Sequence, residues 1–183
     1  MDIDSERLDI VGGFAQRMVR AKGDPFKVVL STNQREAIAG ASYVITQLRV
    51  GMMIARRGDE YLGLRHGLIG QETTGVGGMA KALRTIPVLL DIAKDIYETA
   101  RGALLVNFTN PAGLVTEALA RHASKVASAG VCNVGITAKI KILDELENAT
   151  GSRVAFDHAI LNTLGLNHLT WHRGFTIDGE EMW

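Results

Sequence analysis

Ala103-Leu-Leu-Val-Asn107-Phe-Thr-Asn110-Pro-Ala-Gly113-Leu-Val-Thr116 is the stretch whose reading decides the fold. The apolar run 104–106 predicts a short buried strand, residues 107–113 a polar turn, and the residues after Gly113 a helix. In an open parallel sheet such a corner lies at the carboxyl ends of the strands, where ligands collect. Upstream, residues 26–30 and 43–48 predict further strands, the second polar at its end. Between them residues 33–39 predict a short helix ended by Gly40. Residues 5–22 predict a helix capped by Ser5, with Leu8, Val11, Phe14 or Ala15, and Met18 on one face. Gly12-Gly13 inside it implies close packing on a sheet, because glycine otherwise weakens a helix.

After Gly51 a helix over 52–64 carries Arg56, Arg57, Asp59 and Glu60, and a glycine-rich loop occupies 67–78. The longest predicted helix spans 79–100, with Met79, Leu83, Ile86, Leu90, Ala93 and Tyr97 as its apolar stripe and Pro87 as a kink. Downstream of the opening corner come a helix to residue 122, a strand over 126–132 and a helix over 136–148. From Arg153 the pattern changes to two extended segments, 156–161 and 168–177, joined near Gly165. Asp178-Gly179 then predicts a hairpin turn. Alternating strands and helices imply a parallel α/β sheet with helices on both faces, built by right-handed crossovers. The expected domains are 1–138 and the start of a second, α+β domain over 139–183.

Twenty basic and twenty acidic residues balance, which argues against nucleic acid or an acidic membrane as partner. No apolar run reaches the length of about 20 residues needed to span a bilayer. The acidic start Met1-Asp2-Ile3-Asp4 is unlike a signal peptide. A single cysteine allows no intrachain disulfide, in keeping with the cytoplasm. These features describe a soluble cytoplasmic protein.

Asn110-Pro111 has two readings: a helix start with Asn110 as its cap, or an amide aimed into a ligand crevice beside Asn107 and Thr109. Cys132, ending a predicted strand, is either a small buried hydrophobe or a thiolate metal ligand with a histidine partner. His168 is the leading candidate, with His66, His122, His158 and His172 in competition. The 67–78 loop lacks the Gly-x-x-x-x-Gly-Lys pattern of a phosphate loop. Its Glu72 is a helix-capping or solvated carboxylate, or a buried partner of a catalytic group. Arg56 either lies on a solvated helix face or turns inward to an anionic substrate.

Gly70-Gln71-Glu72-Thr73-Thr74-Gly75, residues 107–116, Cys132-Asn133-Val134 and Gly165-Leu166-Asn167-His168 together resemble glycoside hydrolase family 4, the NAD-dependent glycosidases. The Cys-Asn-Val form is similar to the 6-phospho-β-glucosidase branch, although that branch usually has proline where this chain has Gly135. The resemblance implies a Rossmann-like sheet and a redox exception to two-carboxylate hydrolysis. On the implied route NAD⁺ would take hydride from C3 of the sugar, a base would remove the C2 proton, the aglycone would leave, water would add, and C3 would be reduced again. A divalent metal, typically Mn²⁺, polarises the sugar oxygens.

Carried over residue by residue, the resemblance implies Cys132 and His168 as metal ligands and Arg56 and Asn110 as contacts to a phosphorylated disaccharide or β-glucoside. Glu72 would raise the basicity of the catalytic base, Asn133 would lie near the metal, and Asp2 and Gln47 would serve the dinucleotide. Family members begin with a strand and a Gly-rich dinucleotide loop that do not occur before Met1, and their tyrosine base lies beyond Trp183. The expectation is therefore an incomplete Rossmann-like domain in a chain truncated at both ends, from an enzyme that is a homo-oligomer when complete. Two rivals are a 2-hydroxyacid dehydrogenase, which leaves Cys132 and His168 unexplained, and an inactive sugar-phosphate-binding remnant.

Overall fold

Tyr43–Thr46 (β1), Leu104–Asn107 (β2) and Ser128–Gly130 (β3) form a parallel sheet in that order, with Tyr43 opposite Leu104 and Asn107 opposite Gly130. The central strand is β2, and its Leu105 and Asn107 are fully buried. The computed structural model describes residues 1–183, which divide into two units, Met1–Gly130 and Val131–Trp183.

In the first unit the helices are Ser5–Ala21 (α1), Gln34–Ile38 (α2), Met52–Arg65 (α3), Gly75–Thr99 (α4) and Ala112–His122 (α5). Its core joins Leu89, Ile92, Ala93 and Ile96 of α4 to Leu105 of β2 and to Val115 and Leu119 of α5. Each large apolar side chain buried there contributes roughly 1.5–3 kcal/mol. Gly130 lets α5 approach β3, because a Cβ there would collide with the Thr116 hydroxyl. No helix is long and apolar enough to cross a membrane.

The second unit holds Val134–Thr150 (α6) and an antiparallel sheet of Ala159–Leu166 (β4), Leu169–Ile177 (β5) and Glu180–Glu181 (β6). Leu143 of α6 packs with Ala159 and Phe175. Thus α6 groups with these strands, in the unit that begins at Val131. Asp178 and Gly179 both take positive φ, 50° and 87°, as the predicted β5–β6 turn requires.

Several local expectations are corrected. Residues 26–30 form no strand, and Phe26 and Val29 are 64% and 70% exposed. A strand needs a neighbour, and no segment of this chain pairs with them. The cap of α1 is Asp4, whose carboxylate accepts from the Arg7 N–H, and Ser5 is the first helical residue. Leu8 and Gly12 are the buried residues of α1, whereas Val11, Phe14 and Met18 are exposed. Gly12 does serve close packing: a Cβ there would lie 2.7 Å from Leu30 Cδ1.

The inner face of α4 is Ala82, Thr85, Leu89, Ile92 and Ile96, displaced from the predicted stripe. Of that stripe Ala93 is buried and Ile86 and Leu90 pack against the core, while Met79, Leu83 and Tyr97 are exposed. It also begins at Gly75, so the glycine-rich loop is shorter than 67–78. The β4–β5 connection is Asn167-His168, and Gly165 lies within β4.

Candidate active site

The opening corner forms, but its polar residues divide between two jobs. Asn107 Oδ1 accepts from the Thr46 hydroxyl (3.0 Å) and the Thr109 N–H (3.1 Å), while its Nδ2 donates to the Thr109 carbonyl (3.0 Å). Thr109 Oγ1 accepts from Leu48 N–H at 3.0 Å. Asn107 and Thr109 are therefore buried braces that tie β1 to β2 and shape the turn. Asn110 is exposed, and the cap of α5 is Pro111 rather than Asn110. With no capping bond to make, the Asn110 amide is left to solvent or a ligand. Asn107→Ala is expected to cost about 2–3 kcal/mol, because it strands several buried polar groups. Urea unfolding of the variant measures this.

Glu72 neither caps a helix nor lies in solvent. Its Oε2 accepts from Arg49 Nη1, from Lys81 Nζ at 2.9 Å, and faces Arg56 Nε at 3.5 Å. Burial pushes this carboxyl up, but hydrogen bonds from Arg49 and Lys81 outweigh it and hold Glu72 below its ordinary range. Arg56 also donates to Glu60 at 2.8 Å, so it faces two carboxylates. Beneath the cluster, Arg84 holds Asp59 with both terminal nitrogens, at 2.9 and 2.5 Å, and locks α3 to α4. Gly77 closes the assembly: a Cβ there would collide with the Gln71 carbonyl and lie 2.9 Å from Asp59 O. These glycines serve tight backbone contact.

Arg49 and Lys81 were missed from the sequence. Lys81 is 3% exposed and stands four residues before Thr85 and eight before Leu89 on the buried face of α4. Choosing the other apolar stripe concealed it.

In the second unit, Cys132 Sγ lies 4.0 Å from His168 Nε2 and 4.0 Å from Asn133 Oδ1. Cys132 sits in the link ahead of α6, and His168 in the β4–β5 turn, where Asn167 takes a positive φ of 51°. The other two histidines of this unit are engaged elsewhere, His158 with Asp178 (2.7 Å) and His172 with Thr163 (3.0 Å). Cys132 is half-buried, so its partly buried thiol is neither a sealed core residue nor a free surface group.

Asp2 is engaged by Arg7 through Nε (2.7 Å) and Nη2 (2.5 Å), and by the Asp4 N–H (3.0 Å). A carboxylate has about four acceptor positions, so roughly one remains. Gln47 is exposed just past the end of β1. Hydrogen bonding to Arg7, joined by the Asp4 N–H, pulls Asp2 from 3.8 down to about 2. A depressed carboxyl stabilises the fold above its unfolded value and ceases to do so as pH falls through its folded value. The Asp2–Arg7 contribution is thus expected to be complete above pH 3.8 and lost toward pH 2. Urea midpoints of wild type and Asp2→Asn should therefore converge across that window and stay apart above it.

The pattern of family 4 glycosyl hydrolases matches residues 1–148, and the chain belongs to that family. It is 44% identical over 174 residues to the 6-phospho-beta-glucosidase of Escherichia coli (strain K12), covering 95% of this chain and 38% of that protein. Identity to the 6-phospho-beta-glucosidase BglT of Thermotoga maritima is 38% over 181 residues, 99% of this chain and 41% of the relative.

The T. maritima enzyme solved with manganese, NAD⁺ and glucose-6-phosphate superposes with a TM-score of 0.78, covering 98% of this chain and 42% of that one. A 6-phospho-alpha-glucosidase from gut microorganisms, solved with NAD and glucose-6-phosphate, gives 0.79 at 27% identity, over 98% of this chain and 40% of that one. The sheet is therefore the Rossmann-like sheet of this family, and the chain spans about two fifths of the length of these relatives. Family membership sets aside the 2-hydroxyacid dehydrogenase.

Proposed function

We propose that the protein hydrolyses 6-phospho-β-glucosides, using NAD⁺ and a divalent metal. The observation that carries this is the Cys132–His168 pair. Metal–sulfur and metal–imidazole bonds of about 2.3 and 2.0–2.1 Å allow two donors 4.0 Å apart to share one ion after a small side-chain adjustment. Two protein donors leave coordination positions open for substrate, as a catalytic centre needs. Thiolate and imidazole do not by themselves select Mn²⁺; its presence in the T. maritima relative makes it the first ion to test.

For the dinucleotide, Asp2 has one acceptor position left for a ribose hydroxyl, and the Gln47 amide is exposed beside the carboxyl end of β1. When bound, the dinucleotide supplies a hydride acceptor and the metal a Lewis acid for neighbouring sugar oxygens. The residues of this chain bind and orient. Asn110 offers an exposed amide to a sugar hydroxyl, and Arg56 offers a guanidinium to the phosphate. Glu72 supplies a fixed negative charge that favours protonation of a neighbouring base, and Asn133 adds an amide beside Cys132. Identity of 44% and 38% to relatives named 6-phospho-beta-glucosidases, against 27%, 32% and 35% to relatives named as alpha-glucosidases, supports the β-glucoside. The proposal includes a cytoplasmic homo-oligomer, supported by the single cysteine and by apolar residues such as Phe14 and Met18 left exposed on α1.

The test is a chimera in which these 183 residues replace the matching segment of the T. maritima enzyme. Hydrolysis of p-nitrophenyl 6-phospho-β-glucoside that needs both NAD⁺ and Mn²⁺ is the expected result. A folded chimera that binds NAD⁺ and Mn²⁺ but turns over no 6-phosphoglucoside overturns the proposal in favour of an inactive sugar-phosphate binder.

A further inference from the structure

One oxygen of Glu72 receives all three cations. Arg49 Nη1, Lys81 Nζ and Arg56 Nε converge on Oε2, and no protein donor reaches Oε1. Lys81 differs from the two arginines. Its side chain is 3% exposed, while those of Arg49 and Arg56 are 33% and 36% exposed. A buried ammonium is tolerated only with a partner, and Glu72 is the one acceptor Lys81 finds. The remaining charges of α3 and α4 at this place are already matched, Glu60 with Arg56 and Asp59 with Arg84.

We infer that Lys81 is a positioning residue: its buried ammonium anchors Glu72 Oε2, which gathers Arg49 and Arg56 on the same atom and leaves Oε1 to accept a hydrogen bond from a ligand hydroxyl. Arg49 thereby joins Arg56 as a solvent-facing cation whose place is set from beneath. This deepens the proposed function, and rests on it for the nature of the ligand, a sugar bearing hydroxyl and phosphate groups. The arrangement itself is read without any substrate.

Carbon-detected NMR of the Glu72 side-chain carboxyl, followed against pH in the whole chain, tests it. In wild type Glu72 should titrate below the ordinary carboxylate range, and the Lys81 Nζ shift should follow the protonation of Glu72. In Lys81→Met the midpoint should move up, because burial is no longer opposed by the ammonium, and the Arg49 and Arg56 Nε–H signals should shift. Lys81→Arg should restore both. A folded Lys81→Met with an unchanged Glu72 midpoint and unchanged arginine signals overturns the inference, since a merely structural lysine would alter stability alone. Should Lys81→Met not fold, wild type decides: a Glu72 midpoint at or above the ordinary range, or a Lys81 Nζ shift indifferent to it, is equally fatal. Failure of the chimera to hydrolyse substrate would leave this result untouched.

Discussion

Cys132→Ser is expected to lower divalent-metal affinity at least about 100-fold. Changing groups that only support a metal ligand already costs 10–100-fold, and here one of two donors is removed. Serine matches cysteine in shape, but its hydroxyl does not ionise near neutral pH and is a far poorer ligand than a thiolate. Fold and stability should change little, because Cys132 is only half-buried and bonds no core group. Titration with Co²⁺ gives a direct readout, since a thiolate bound to cobalt produces a charge-transfer absorption band. Wild type should develop the band and Cys132→Ser should not; Mn²⁺ affinity, measured by loss of the free-ion paramagnetic resonance signal, should fall in parallel. A wild-type chain without the band, or a serine variant with unaltered Mn²⁺ affinity, excludes the ligand role.

Gly77→Ala should destabilise the first unit by about 3 kcal/mol, at the upper end of the usual cost of overpacking. The added methyl would meet the Gln71 carbonyl and approach Asp59 O to 2.9 Å. Both obstacles are backbone atoms, which cannot rotate aside as a flexible side chain can. Relief requires the Gln71–Thr73 segment to move away from α4, and Glu72 moves with it. Besides a lower urea midpoint, the variant should show Glu72 titrating nearer its ordinary range, because its bond to Lys81 lengthens. Gly58→Ala is the control: no atom lies within 4 Å of the added Cβ. Equal stability of Gly77→Ala and wild type would refute the backbone contact on which the cluster is built.

Local signals were strong wherever a residue's role depends on its immediate neighbours. The run before Asn107 formed a strand, the turn and α5 came after it, and Asp178-Gly179 made its hairpin. Met52–Arg65 fell within a residue of its predicted bounds, since Gly51 and its φ of 80° punctuate the chain. Legibility failed where an element has two plausible partners or none. Helix α4 carries apolar residues on two faces, and periodicity alone does not say which one meets the sheet. Residues 26–30 are apolar enough for a strand, but hydrogen-bonded neighbours, not composition, make a strand.

The site shows the same division. Resemblance named Glu72, Arg56, Cys132 and His168, but their company came from the structure. Arg49 stands 23 residues from Glu72 and Lys81 stands nine away on another element, so no spacing rule links them. Likewise, only burial and hydrogen bonds show Asn107 and Thr109, the polar neighbours of Asn110, bracing β1 against β2.

By itself the amino-acid sequence determined the alternating strands and helices, the corner at residues 103–116 and the family, because these depend on local patterning and on motifs of adjacent residues. Only the tertiary structure decided which face of α4 is buried, and hence that Lys81 points at Glu72. It also brought the His168 ring to 4.0 Å from the Cys132 sulfur. Those outcomes turn on packing between segments distant in sequence, where burial and charge pairing are settled together.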